Sequence, residues 1–307
     1  MPPRAPKAKK AAPFKAGAVA IIGRPNTGKS TLLNVFVKFK LSAVSPRPQT
    51  TRHKVLGIAT TDRYQIAFLD TPGIPYRAQD ELNRRLLTRA VEALDEADLV
   101  VMLVEPRPPG DIERRLVEEL KKTGKPAILA VNKIDLVKKP DLLPVMDAYS
   151  RLHPFLEIVP ISALMADGLD VLLEAVLGHL PEGEPQFPPE EITDRTERFL
   201  ASEIIREQVF NIYAQEVPYA VAVEVETFRE RDEEHGGKDY ISATLYVQKD
   251  SQKGILIGRG GEMLKKIGTQ ARQAIEALLQ RPVHLELWVK VYPHWSKDKA
   301  FLQRIGY

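Results

Sequence analysis

The 307-residue sequence predicts an α/β fold, a mostly parallel sheet with helices on both faces, followed by a smaller α+β unit. Three observations predict it. From about residue 18 to 180, short apolar runs rich in β-branched residues alternate with amphipathic stretches, as in successive β–α units. The polar motifs fall at the carboxyl ends of those runs, where open α/β sheets bind ligands. The Pro/Gly-rich stretch from Pro181 to Pro189 then ends the alternation, and a different order of elements follows.

Residues 1–16 are rich in Pro, Ala and Lys, carry five basic and no acidic residues, and are expected to be a disordered basic tail. Ala18 to Ile22 reads as a buried strand, and Thr31 to Phe36 has helical spacing. The stretch from Ser42 to His53 is poor in apolar residues and reads as a surface loop. A hairpin is expected next, from Val55 to Ala59 and Tyr64 to Leu69 around Asp62-Arg63, then an amphipathic helix from Gln79 to Leu94. Further strands are expected at Leu99–Val104, Ala127–Val131 and Glu157–Ile161, with helices at about Asp111–Thr123, Leu142–Leu152 and Gly168–Leu180. Beyond the break come a helix (about Arg195–Tyr213), strands at Tyr219–Thr227 and Tyr240–Gln248 joined by the charged segment Arg229–Asp239, a long helix (Glu262–Leu279), a strand (Val283–Val291) and a short helix from about Ser296. The divisions predicted are a tail at 1–16, one domain at 17–182, a linker at 183–192 and a second domain at 193–307.

Composition narrows the chemistry. There is no cysteine, which excludes disulfides and thiolate metal sites, and the six histidines lack metal-ligand spacing, so no zinc centre is expected. No apolar run approaches the roughly 20 residues of a membrane span. No apolar core follows the basic N-terminus, so no secretory signal is expected and a cytoplasmic setting fits. Net charge is only +3, yet from Asp250 onward ten Lys/Arg stand against five Asp/Glu. Two basic ends on an acidic body suggest local contact with a polyanion.

Gly23-Arg24-Pro25-Asn26-Thr27-Gly28-Lys29-Ser30 is the phosphate-binding pattern G-x-x-x-x-G-K-S, set between a strand and a helix. Its glycines free backbone N–H groups to point at an anion, and the helix N-terminus favours one there. Lys29 adds a positive charge for the β- and γ-phosphates, and the Ser30 hydroxyl suits Mg2+. Asp70-Thr71-Pro72-Gly73 ends the neighbouring strand, which puts a carboxylate beside the metal position and a bare Gly73 N–H within reach of a γ-phosphate. In Asn132-Lys133-Ile134-Asp135, a carboxylate at Asp135 can accept from the ring N–H and exocyclic amine of guanine, a donor pair adenine lacks on that edge. Asn132 can bond the base or tie loops together, and the Lys133 stem can cover the ring. Ser162-Ala163-Leu164 suits a backbone contact to the guanine oxygen.

In the second unit, Gly258-Arg259-Gly260-Gly261 is a G-x-x-G between two helices. Placed in the order helix, strand, strand, helix, G-x-x-G, helix, strand, it forms a clamp for a nucleic-acid backbone. Lys253, Lys265, Lys266 and Arg272 flank it. Ile255 or Ile257 lines a base groove or packs in the core, the latter being favoured; Tyr292, His294 and Trp295 stack on bases or close the core.

The motifs together resemble a translation-factor-type GTPase domain, and the domain order is similar to that of the bacterial Era family: a P-loop GTPase domain with a mostly parallel sheet, followed by a smaller α+β KH (type II) domain. The resemblance covers nearly the whole chain except residues 1–16. It implies a GTPase with GTP/GDP bound by Gly23, Asn26, Thr27, Gly28, Lys29, Ser30, Thr31, Asp70, Gly73, Asn132, Lys133, Asp135, Ser162, Ala163 and Leu164. It implies Mg2+ at Ser30, Asp70 (through water) and Thr51, with Thr50 the alternative, and a catalytic set of Lys29, Thr51 and Gly73. Residues 45–53 and 72–80 become switches ordered by the γ-phosphate. Ile74 stands where Ras-like enzymes carry a water-orienting glutamine, and no in-cis arginine is evident, although Arg47 and Arg52 lie in the switch. Slow turnover, raised by a partner or by K+ near Asn26, is therefore expected. RNA binding falls to Lys253, Gly258, Arg259, Gly260, Gly261, Lys265 and Lys266. The implied partners are the 3′ region of 16S ribosomal RNA and the 30S subunit, whose assembly it would assist, with peripheral contact at the inner membrane and a monomeric state. The rival reading is a GTPase whose C-terminal domain contacts proteins or membrane.

Overall fold

A computed structural model of the chain describes residues 13–45, 47, 51–73 and 81–307. The first strand, β1 (Lys15–Gly23), is flanked by two parallel partners, β3 (Tyr64–Asp70) and β4 (Leu99–Val104). The six-stranded sheet has the order β2-β3-β1-β4-β5-β6, where β2 is Val55–Thr60, β5 Ala127–Val131 and β6 Ile158–Pro160. Only β2 runs antiparallel, because the tight turn at Asp62-Arg63 returns the chain beside itself. Alternate residues of β1 serve opposite layers. Val19 and Ile21 pack against α1 (Lys29–Val37) and α5 (Leu169–His179). Ala20 and Ile22 share a core with α2 (Glu81–Glu96), α3 (Asp111–Thr123) and α4 (Lys139–Leu152). Each fully buried leucine there, such as Leu116 or Leu120 of α3, contributes about 2 kcal/mol of transfer free energy.

The sheet starts earlier than expected. Lys15 and Ala16, assigned to the disordered tail, pair with Tyr64 and Gln65. Ala16 N–H also donates to Pro181 O at 3.2 Å, so the strand's backbone groups are satisfied and the basic composition does not prevent pairing. The rest of the tail up to residue 12 lies outside the described residues. The Pro-rich segment that follows the first unit is strapped to the β2–β3 hairpin. The Gln65 side chain accepts from Gln186 and Phe187 N–H and donates to Phe187 O, while Ile58 N–H donates to Ile192 O at 2.7 Å.

The second unit has a three-stranded sheet, β7 (Ala222–Asp232), β8 (Lys238–Val247) and β9 (Val283–Val291), in that spatial order. β7 and β8 are antiparallel; β8 and β9 are parallel. One face is covered by α6 (Glu197–Ile212), α8 (Asp250–Ile257) and α9 (Glu262–Leu279). Two expectations are corrected. The first strand begins at Ala222, not Tyr219, because Val217–Ala220 forms a short helix, α7, with Pro218, which has no N–H for a ladder, in its first turn. The charged segment is largely strand, since β7 runs through two register irregularities to Asp232 and Gly236-Gly237, at φ 68 and 73, make the turn.

The two units share a core in which Leu82 and Leu86 of α2 meet Ala222, Trp295, Phe301, Leu302 and Tyr307; the last element, α10 (Lys299–Arg304), supplies two of these. Trp295 is fully buried, and Tyr292 packs edge-on against Phe301. These two rings therefore close the core, while His294 is exposed. Among the described residues, no helix is long and apolar enough to cross a membrane.

Candidate functional site

At the carboxyl ends of β1, β3, β4 and β5 the loops enclose a cleft of about 560 Å3. Its floor is the turn from β1 into α1. Gly28 stands at φ 98, and a Cβ there would lie 2.3 Å from Asn132 Nδ2; one at Gly23 would lie 2.3 Å from Leu103 O. Only glycine fits either position. Lys29 is buried and its ammonium donates to Arg24 O at 2.8 Å and Gly23 O at 3.2 Å. Burial lowers the Lys29 pKa to about 8, against the opposing pull of Asp70. An anion entering the loop favours the charged form, opposing that shift, and gives the ammonium a stronger partner.

Beside it stands a chain of three oxygens. Ser30 Oγ donates to Asp70 Oδ2 at 2.8 Å, and Thr51 Oγ1 lies 2.6 Å from the same hydroxyl. The Ser30 proton is committed to Asp70, so Thr51 is the donor to Ser30. Asp70 is fully buried, and burial pushes its carboxyl pKa up despite Lys29 and Ser30. Its Oδ1 is buried with no hydrogen-bond partner. An orphaned carboxylate oxygen next to two hydroxyls is a donor set suited to a hard divalent cation. Gly73 faces the P-loop so closely that a Cβ would lie 2.6 Å from Pro25 N and Cα.

At the opposite end, Asp135 Oδ1 accepts from Ser162 Oγ at 2.6 Å, which orients the carboxylate toward the cleft it lines. Asn132 ties loops together: Nδ2 donates to Thr27 O at 2.7 Å and Oδ1 accepts from Ala163 N–H at 2.8 Å. Lys133 pairs with Glu105 at 2.6 Å. Asn26, Gly28, Lys29, Ser30, Thr31, Thr51, Gly73, Asn132, Lys133, Asp135, Ser162, Ala163 and Leu164 all line the cleft, whereas Gly23, Thr27 and Asp70 support it from behind. Thr50, Ile74 and the rest of 74–80 lie outside the described residues. Sequence reasoning missed Ala43, Val44, Glu105 and Leu136, which also line the cleft; only the position of Glu105, at the end of a buried strand, signalled it. Arg47 donates to Phe210 O and Arg52 is buried among groups of the second unit, so both guanidinium groups face away from the cleft.

A second depression of about 350 Å3 follows the G-x-x-G turn. Gly258, Gly260 and Gly261 have φ of 73, 60 and 83, and Arg259 is exposed. Gly261 and Lys265 line the groove, together with Leu264, Gly268, Thr269, Arg272, Leu285 and Leu287. Lys253, Gly258, Arg259, Gly260 and Lys266 do not line it. Ile257 packs in the core, while Ile255 is exposed on α8. The leucines of β9 escaped notice because their alternation is equally that of core residues. The fold also brings His235, His284 and Glu286 together, with ligand atoms within 4.8 Å of one another, a cluster invisible in the histidine spacing.

Residues 18–133 match the family described as 50S ribosome-binding GTPase, and residues 216–296 match the KH domain. The chain is 49% identical to the GTPase Era of Geobacter metallireducens, over 96% of its own length and 98% of that protein. It is 44% identical to the GTPase Era of Lactobacillus helveticus, over 96% of each. It is similar in structure, at TM-score 0.92 and 40% identity, to an Aquifex aeolicus Era variant bound to GDP·AlF4−, covering 96% of this chain and 99% of that one. The same values hold for Era in complex with MgGDPNP and nucleotides 1506–1542 of 16S ribosomal RNA.

Proposed function

Because the chain belongs to the Era family of GTPases, we propose that it is a GTP-hydrolysing switch that binds small-subunit ribosomal RNA and assists 30S assembly. One observation carries the proposal: a single cleft holds an oriented carboxylate at one end and a buried ammonium at the other. Asp135, hydrogen-bonded by Ser162, would read guanine; Lys29 and the N–H groups at the start of α1 would hold the phosphates. Ser30, Thr51 and Asp70 would hold Mg2+, which when bound offsets charge on the β- and γ-phosphates. Gly73, packed against Pro25, would offer its N–H to the γ-phosphate. No glutamine follows Gly73 in the sequence, so intrinsic turnover is slow and a partner or K+ near Asn26 raises it; equal rates in K+ and Na+ would count against the cation.

The groove at Gly261 and Lys265 takes single-stranded RNA, its glycines admitting the backbone and Arg259 supplying charge. A relative bound to 16S ribosomal RNA supports that assignment and points to the RNA's 3′ region. γ-Phosphate orders the two switch segments, and these set how the KH unit is held, so RNA and nucleotide affinities depend on each other. The test is RNA crosslinking by the wild type and an Arg259→Asp/Gly260→Asp double variant, with sequencing of the crosslinked RNA. Loss in the variant and recovery of 16S 3′ sequence from the wild type are expected; undiminished crosslinking would assign the C-terminal domain to a protein or membrane partner instead.

A further inference from the structure

Arg52 follows Thr51 directly in the chain, yet its side chain belongs to the second unit. It is 1% exposed. Nη1 donates to Val221 O at 2.8 Å, and Nη2 donates to Tyr219 O at 3.0 Å and Pro218 O at 3.3 Å. The one carbonyl left in that run, Ala220 O, accepts from Trp295 Nε1 at 2.8 Å. The end of α7, which carries the partial negative charge of a helix C-terminus, is thus satisfied by one guanidinium and one indole, with Val221 N–H adding a bond to Pro218 O at 3.4 Å. The same guanidinium lies 5.7 Å from the Trp295 ring centre, 5.9 Å from that of Phe210 and 6.0 Å from that of Tyr307. Lysine could not reproduce this arrangement, since a single ammonium cannot fork across three carbonyls and lie over rings at once.

One peptide bond away, Thr51 reaches Ser30, and through it Asp70. The hydroxyl that senses the metal–phosphate end of the cleft and the guanidinium that anchors α7 therefore cannot move independently. We propose that Arg52 is the positioning residue that couples the two sites: its socket between α7 and Trp295 holds Thr51 against Ser30, and a shift of Thr51 on loss of the γ-phosphate draws the guanidinium from that socket. Seated, Arg52 satisfies Val221 O and Tyr219 O and adds to the Val221 N–H bond at Pro218 O; withdrawn, it leaves the first two without a partner, so the link has two discrete states rather than a graded range. By reciprocity, a ligand that fixes the KH unit with Arg52 seated favours Thr51 in place and raises affinity for the triphosphate. The inference rests on the proposed nucleotide-gated RNA binding and names the residue that carries it.

The experiment uses the full chain. RNA affinity is measured with a non-hydrolysable GTP analogue and with GDP, for the wild type, Arg52→Lys and Arg52→Met. In parallel, Trp295 emission is followed through the same nucleotide exchange in a Trp288→Phe background, which leaves Trp295 as the single tryptophan. The expected result is a wild-type affinity ratio of about 5- to 150-fold that collapses toward one in both variants, with Trp295 emission changing on exchange only when Arg52 is present. A variant that keeps the wild-type ratio overturns the inference. Should neither variant fold, Trp295 emission identical in the two nucleotide states of the Trp288→Phe protein overturns it as well. A wild-type ratio of one with a responsive Trp295 refutes the gating of RNA but leaves the mechanical link standing.

Discussion

Asn132 and Thr27 are joined by a 2.7 Å hydrogen bond from the amide of one to the carbonyl of the other, and it crosses between two loops of the nucleotide cleft. The other face of the same amide accepts from Ala163 N–H. One side chain thus locks three loops, with Gly28 packed against it. Asn132→Ala leaves a buried carbonyl and a buried N–H unpaired, each at about 1–3 kcal/mol. GDP and GTP affinity should fall about 10- to 100-fold with guanine selectivity retained, as read by titration with a fluorescent nucleotide. Lost selectivity at unchanged affinity would instead place Asn132 on the base.

Selectivity belongs to Asp135. With an amide in place of one carboxylate oxygen, the pair of acceptors facing the base becomes one acceptor and one donor, which suits xanthine. Asp135→Asn is expected to invert the preference between GTP and XTP in competition binding. Ser162→Ala, which removes the 2.6 Å hydrogen bond to that carboxylate, should weaken GTP by about tenfold without inversion.

His53 predicts an acid-sensitive junction. Its ring stacks on Tyr307 with centres 4.5 Å apart, meets Phe199 edge-on, and has Nδ1 3.2 Å from Gly306 O. Burial lowers its pKa to about 4; Glu203 opposes that shift, and Arg206, Arg195 and Arg89 add to it. The unfolded chain takes up a proton near the ordinary value of 6.5, so between pH 6.5 and 4 it binds more protons than the folded one. Stability is therefore full above pH 6.5 and falls as the pH drops toward 4, by about 3 kcal/mol from this group. Denaturant unfolding at pH 7.5, 6 and 4.5 should show the decline, and His53→Gln should flatten it; equal slopes in the two proteins would exclude the histidine as its source.

The G-x-x-G turn separates folding from binding. A Cβ at Gly258 would lie 2.5 Å from Met263 Cγ and 3.0 Å from Met263 N, at φ 73, so Gly258→Ala should cost about 2 kcal/mol and lower the melting temperature. At Gly260 no atom lies within 4 Å, and aspartate tolerates the left-handed backbone, so Gly260→Asp should fold normally. Its charge beside Arg259 should still reduce RNA affinity at least tenfold at about 0.1 M salt. Equal melting temperatures for the two variants would refute the packing assignment, and unimpaired RNA binding by Gly260→Asp would refute the clamp.

Much of this was legible in order and type. The helix expected at about Asp111–Thr123 has those bounds in the structure, where Gly110 and Gly124 cap it. Errors came where a tertiary partner decided the outcome. Lys15 and Ala16 look like tail but find a strand to pair with. Ile255 and Ile257 are two residues apart on one helix, and only packing shows that the first is exposed and the second is core. His235 and His284 lie far apart in sequence and meet only because β8 and β9 pair in parallel beside the β7–β8 turn.

The sequence by itself determined the ligand chemistry: glycines where no Cβ fits, an ammonium and hydroxyls for phosphate and metal, a carboxylate for guanine. These requirements are local, so their spacing within single strand-to-helix turns reveals them. Tertiary structure alone decided what the switch is fastened to. Arg52 reads as a surface-loop cation, yet the fold buries it under α7 and Trp295, because a helix end buried between two units needs donors beyond the one its own backbone supplies.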